Sequence, residues 1–232
     1  MVSTRNNTTV IVPTFNERRS ISGIISELKR NGGNHVVVID GNSVDGTAEV
    51  ARELGATVVI QRGRGKGAAL RQAFAHESVE GEIAIIIDGD GSMDPKEIPL
   101  FIEAMETGAD VVKGSRFLSW GRSEDMNFVR RFGNLLFLSL VNWLWSTNYT
   151  DLCYGFGAFR RGALKKLCSH LKSTDFEIET EICIKAKKLG LKVVEVPSIE
   201  FKRRYGKSNL DIVRDGWRIL KTILQEFLEK YR

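Results

Sequence analysis

At 232 residues, with 42% hydrophobic and 27% charged side chains, the chain is long enough to bury one real core and too apolar for a disordered polypeptide. Its three cysteines, Cys153, Cys168 and Cys183, form no CxxC pair, which argues against a disulfide framework or a zinc site and fits a reducing cytoplasm. The formal net charge is +5, and from Ser198 to Arg232 nine Lys/Arg stand against five Asp/Glu, which suggests a phosphate, an acidic lipid or a nucleic acid at that end, although on charge alone a solvated helix face is the simpler reading.

Met1 to Thr9 is polar, so no signal peptide is expected. Thr9 to Val12 is a short apolar run stopped by Pro13. Asn16 to Lys29 reads as a helix with Ile21, Ile24, Ile25 and Leu28 on one face and Asn16 as its cap. Val36 to Ile39 is a second strand. Thr47 to Leu54 is a helix that Asp45 or Thr47 caps at its start and Gly55 at its end. Thr57 to Ile60 is a third strand and Gly67 to His76 a helix. Ile83 to Ile87 reads as a strand buried on both faces. A helix with proline in its first turn follows from Pro95, then a strand near Asp110 to Lys113. Such alternation means a parallel, doubly wound sheet with helices on both faces.

After Arg116 the pattern changes. Leu118 to Asn127 is a polar loop and Phe128 to Trp145 an apolar helix. Asn134, Ser139 and Asn142 interrupt the most apolar stretch, so no membrane span is expected. Tyr154 to Arg160 reads as a strand, Glu177 to Leu189 as a helix, and Val193 to Val196 as a strand stopped by Pro197. Ile199 to Ser208 is a basic loop, and Leu210 to Tyr231 an amphipathic helix. The expected organisation is one domain over residues 1–210 with a C-terminal helical extension over 211–232.

The chemistry gathers at strand ends, where open α/β sheets bind ligands. The fourth strand runs into Asp88-Gly89-Asp90. Its two carboxylates sit on alternate positions and point the same way, while Gly89 lets a ligand approach the backbone. Hard oxygen donors at one edge suit Mg²⁺ or Mn²⁺ carrying a diphosphate. A solvated Asp-Gly-Asp turn is the plain alternative. After the first strand, Phe15 can stack on a planar ring and Glu17 can accept hydrogen bonds from it. After the second strand, Asp40 sits at the sheet edge. After the third, Arg62-Gly63-Arg64-Gly65-Lys66-Gly67 is a cationic glycine loop at a helix start, without Walker spacing.

In this order, Val12-Pro13-Thr14-Phe15-Asn16-Glu17, Asp40 through Thr47, Gly65-Lys66-Gly67, Asp88-Gly89-Asp90 and Gly114-Ser115-Arg116-Phe117 resemble the family-2 glycosyltransferases of the GT-A fold. Within that family they look most like the dolichol-phosphate mannose and polyprenyl-phosphate sugar synthases. The resemblance implies a Rossmann-like, mostly parallel sheet and an inverting transfer that depends on Mg²⁺ or Mn²⁺. Pro13, Phe15, Glu17, Val38, Asp40, Lys66, Asp88, Gly89, Asp90, Arg116, Arg203 and Asn209 would bind the nucleotide sugar, with Asp88 and Asp90 as the metal ligands. Asp90, Arg116, Arg130 and Arg203 would be catalytic, and Arg130 and Asn134 would bind the acceptor. A lysine is usual where Asn209 stands, and Lys207 brings a charge two positions earlier. The structural alternative for the three arginines is an ordinary ion pair.

The donor would be a nucleotide-diphosphate sugar of the GDP-mannose or UDP-glucose type, and the acceptor a dolichyl or polyprenyl phosphate at the cytoplasmic membrane face. Nucleic acid is not expected. Trp143, Trp145 and the terminal helix would dock peripherally on the membrane surface; burial on the sheet or a homodimer contact is the alternative for both helices. A same-fold transferase acting on a sugar hydroxyl would need a base among Glu177, Glu179 and Glu181, whereas an ionised phosphate needs none. A non-catalytic nucleotide-sugar binding protein is the reading of another class.

Overall fold

The β-branched runs of the chain become strands: β1 (Thr8–Thr14), β2 (His35–Asp40), β3 (Thr57–Ile60), β4 (Ile83–Ile86), β5 (Val111–Ser115), β6 (Arg122–Ser123), β7 (Gly157–Arg160), β8 (Val193–Pro197) and β9 (Ile199–Glu200). The helices are α1 (Arg18–Arg30), α2 (Thr47–Glu53), α3 (Lys66–Ala75), α4 (Ile98–Glu106), α5 (Phe128–Trp145), α6 (Arg161–Cys168), α7 (Ile178–Lys188) and α8 (Ile212–Leu228). These come from a computed structural model that describes residues 7–33, 35–206 and 208–229.

Seven strands form one sheet in the order β3-β2-β1-β4-β7-β5-β8. All pairings are parallel except those of β7, which runs antiparallel to both β4 and β5. Alternate side chains of each strand feed two cores. Val10, Val12, Val38 and Ile85 pack on one face with Ile21, Ile25 and Leu28 of α1 and Phe101 of α4. Ile11, Val37, Ile39 and Ile86 pack on the other with Leu70 and Phe74 of α3, Leu167 of α6 and Ile182 of α7. Full burial of each such side chain stabilises by about 1.5–3 kcal/mol. A third cluster joins Val141 and Trp145 of α5, Ile184 of α7, and Ile219 and Ile223 of α8.

Several local expectations shift. Asn16 does not cap α1. It takes a left-handed backbone (φ 58°), and its Oδ1 accepts from Val44 N instead. Asp45 serves both helix starts, accepting from Arg18 N at 3.1 Å and Thr47 N at 3.0 Å. Gly55 (φ 74°) closes α2 as expected: its N–H donates to Arg52 and that of Ala56 to Ala51, the paired bonds of a left-handed stop. Pro95 opens a 3₁₀ turn, Pro95–Glu97, rather than α4 itself. The polar loop after Arg116 contains β6, which pairs with β9, and α6 was not anticipated. Tyr231 lies outside the described residues. Among those described, no helix is long and apolar enough to cross a membrane.

Gly67 marks a close approach. A Cβ there would come within 2.7 Å of the Thr174 carbonyl carbon and 2.8 Å of Asp175 N, where the loop before α7 lies on α3. Gly67→Ala is expected to cost about 1–3 kcal/mol of stability, because backbone on both sides must yield. A urea unfolding curve checks this, and an unchanged midpoint would contradict it.

Candidate functional site

The ends of β1, β2 and β4 open onto a cavity of about 1020 Å³. Register fixes this convergence: Thr14 lies opposite Asp40, and Ile11 opposite Ile86, so the residues after β1 and β4 emerge side by side. Pro13, Phe15, Glu17, Lys66, Asp88, Gly89, Asp90, Arg130, Arg203 and Asn209 all line the cavity. Phe15 is 49% exposed, leaving its ring free for stacking. Gly89 is needed at the floor, because a Cβ would sit 2.5 Å from the Thr14 side chain.

Two ion networks hold the floor. Lys66 Nζ stands 2.7 Å and 2.9 Å from the two Asp88 oxygens and 2.8 Å from Glu179 Oε1. Burial alone would push the lysine down, but Asp88 and Glu179 outweigh it and hold it above its ordinary value. Burial pushes both Asp88 and Glu179 up, against the pull of Lys66. In the second network, Arg203 reaches Asp90 Oδ2 at 2.9 Å and Glu17 Oε1 at 3.2 Å. The other Asp90 oxygen accepts from Ser92 N and Oγ. Burial raises Asp90, yet these bonds and Arg203 bring it below the usual carboxylate range. Burial raises Glu17 to about 7, only partly offset by Arg203.

Arg130 owes its place to the start of α5. Asn127 caps the helix by accepting from Arg130 N at 2.9 Å, which sets Arg130 in the first turn. Its guanidinium bonds Asp125 Oδ2 at 2.9 Å and lies 4.0 Å from Glu200.

Four expected site residues lie behind the cavity wall. Val38 is fully buried in the sheet core. Asp40 is buried because its carboxylate is spent inside the lip, accepting from Ser43 N and Thr14 Oγ1. Arg116 is 5% exposed: Asp151 accepts from its Nε and Nη2 at 2.7 and 3.0 Å, Glu200 from its Nη1 at 3.0 Å, and Tyr154 stacks on it. Asn134 is buried, its Oδ1 accepting from Leu152 N and Cys153 N, so it shapes the wall segment that carries Cys153. Lys207 lies outside the described residues.

The acidic run before α7 divides by position. Glu181 accepts from Lys172 N and Ser173 N, and Glu177 from Thr174 N and Asp175 N, so both fix the loop that packs on Gly67. Only Glu179 of the three faces the cavity. Asp125, Gly155 and Glu200 also line it and were not anticipated. They arrive through the antiparallel β7 and the β6–β9 pair, long-range contacts without a local motif.

Asp88 and Asp90 supply hard oxygen donors on one lip, and among the described residues no three His, Cys, Asp or Glu side chains form a metal cage. Two carboxylates beside a cavity fit a divalent cation that completes its shell with phosphate oxygens and water.

Comparison with known proteins gives the family and the fold. Residues 9–168 match the family described as Glycosyl transferase family 2. Over 224 residues the chain is 34% identical to glycosyltransferase AglJ of Haloferax volcanii, covering 96% of this chain and 70% of that protein. It is 30% identical to the dolichyl-phosphate hexose transferase of the same organism, covering 95% and 94%. The fold is similar to that of glucosyl-3-phosphoglycerate synthase from Mycobacterium tuberculosis, with a TM-score of 0.77 at 21% identity over 96% of this chain and 80% of that one.

Proposed function

Since the chain belongs to glycosyl transferase family 2, we propose that it transfers a hexose from a nucleotide-diphosphate donor, of the GDP-mannose or UDP-glucose type, to a dolichyl or polyprenyl phosphate at the cytoplasmic membrane face. The observation that carries this reading is the meeting, in one cavity, of an exposed aromatic ring, two lip carboxylates and the two arginines Arg130 and Arg203. The acceptor is supported by the relative named dolichyl-phosphate hexose transferase. The metal is supported by the mycobacterial synthase, whose structure holds Mn²⁺ and UDP-glucose.

In this reading Phe15 stacks on the base and Glu17 accepts from the nucleoside. A divalent cation held by Asp88 and Asp90 would neutralise charge growing on the departing diphosphate. Arg203, already at the lip, adds a second positive charge there. Arg130 exchanges Asp125 for the acceptor phosphate, to which its planar fork is matched. An oxygen of that phosphate attacks the anomeric carbon opposite the leaving group, so configuration inverts and no enzyme-bound sugar forms. Arg116 acts one step back, holding Glu200 in the wall.

A hydroxyl acceptor is the second reading, favoured by one observation: Glu179 faces the cavity. Its pairing with Lys66 weighs against it as a base. Glu179→Gln is therefore expected to lower kcat for a polyprenyl phosphate by about tenfold at most. A loss of ~10²–10⁴, the usual share of a general base, would move the assignment to a hydroxyl acceptor.

A further inference from the structure

Asp88 and Asp90, the two carboxylates of the lip, each meet a cation of the chain itself, and the two cations are held differently. Lys66 opens α3 and sits on Asp88, with Glu179 as its second partner. It is closely enclosed: a Cβ at Gly155 would come within 2.6 Å of its Nζ. Arg203 comes instead from the loop after β9, which ends at Glu200. Backbone brings it to the lip, because Met93 bridges to Glu200 and Phe201 N donates to Ser92 O at 2.8 Å. From there the side chain joins two strand ends. Its Nε and Nη2 donate to Asp90 Oδ2 at 3.2 and 2.9 Å, and its Nη1 stands 3.2 Å from Glu17 Oε1. Asp90 Oδ1 accepts from Ser92 N and Oγ at 2.9 and 2.7 Å, so both oxygens of the carboxylate are engaged. A divalent cation sits directly on carboxylate oxygen, and a guanidinium bonded to that same carboxylate would repel it at close range.

We infer that Arg203 is a displaceable counter-ion: it competes with the divalent cation for Asp90, and yields when a nucleoside diphosphate supplies phosphate oxygens for its guanidinium. The exchange conserves ion pairs. The cation replaces Arg203 at Asp90, and the diphosphate replaces Asp90 at Arg203, whose planar fork matches phosphate. The cation alone would cost Arg203 its forked partner, and the diphosphate alone would cost Asp90 its counter-charge. Each ligand therefore favours the other, and the coupling is reciprocal. Moving Arg203 breaks no strand pairing, because it lies beyond β9, and its side chain is already 20% exposed. Lys66 is unsuited to this part, since its departure would strand Asp88 and the buried Glu179 without a counter-charge. The inference rests on the metal reading of Asp90, and its test separates the two.

The test measures Mn²⁺ binding to the full chain by titration calorimetry, first with Mn²⁺ alone and then with GDP or UDP present. Arg203→Gln is compared with wild type and with Arg130→Gln, which removes a cavity cation that bonds Asp125 rather than Asp90. Far-UV spectra establish that all three proteins are folded. Arg203→Gln is expected to bind Mn²⁺ alone roughly tenfold or more tightly than wild type, and the strengthening of Mn²⁺ binding by the diphosphate should shrink by a similar factor. Arg130→Gln should change Mn²⁺ affinity by about threefold at most, the scale of a cation that does not touch the ligand carboxylate. An Arg203→Gln affinity for Mn²⁺ no higher than wild type overturns the inference and leaves the metal reading standing. An equal gain in Arg130→Gln also overturns it, because the effect would then be general cavity charge. Binding of GDP or UDP with no Mn²⁺ bound by any of the proteins removes the metal reading, and the inference with it.

Discussion

Asp90→Ala is expected to lower kcat by about 10²–10³-fold or more, with the fold intact. That is the scale of losing a preorganised group that stabilises charge in the transition state. Asp90 lies beyond the end of β4, and among the described residues its carboxylate bonds to Ser92 and Arg203, both at the cavity. No core side chain depends on it, and Arg203 keeps Glu17 as a partner. The substitution removes one of the two hard donors on the lip, so affinity for a nucleoside diphosphate should lose its dependence on Mg²⁺ or Mn²⁺. Titration calorimetry with the cation and with EDTA measures this. Wild-type affinity that is the same in both conditions would contradict the metal assignment, and a variant that still responds to the cation would contradict the role of Asp90.

Asp151→Asn should destabilise the protein by about 3 kcal/mol, because it removes the bidentate one of the two counter-charges of the buried Arg116 guanidinium and leaves only Glu200. The pair is almost wholly enclosed, with side-chain exposures of 3% and 0%. Burial pushes the Asp151 carboxyl up, but Arg116 outweighs burial and holds it below the usual range. A native pKa lowered in this way gives stability that is fully present above the unfolded value, about 3.9 for aspartate, and lost as pH falls through the native one. Wild-type stability should therefore drop in acid partly through Asp151, and Asp151→Asn should lack that component. Urea unfolding from neutral to acid pH is the check. A penalty under 1 kcal/mol would mean that water reaches the pair.

The central sheet was legible because its signals are local. Val36 to Ile39, Thr57 to Ile60 and Ile83 to Ile87 are β-branched runs bounded by turn residues, and each became a strand within one or two positions. The bounds of α5, Phe128 to Trp145, follow to the residue from its apolar run after a polar loop. What stayed hidden depends on partners distant in sequence. Whether Arg116 meets a phosphate or Asp151 turns on a segment 35 residues away, and the same holds for Asn134 and residues 152–153. Asp40 stands at the sheet edge as anticipated, but its own turn consumes the carboxylate through Ser43 N. The division of labour among Glu177, Glu179 and Glu181 was illegible because helical rotation alone does not say which loop will fold back on them.

The most direct measurement is transfer from a panel of labelled GDP- and UDP-sugars to a short polyprenyl phosphate, with Mn²⁺ or Mg²⁺ and then with EDTA. The result expected is label in the lipid phase from one donor, dependent on the cation and abolished by Asp90→Ala. Donor turnover or binding with no lipid product from any donor would contradict the lipid-phosphate acceptor, and transfer undiminished by EDTA would contradict the metal.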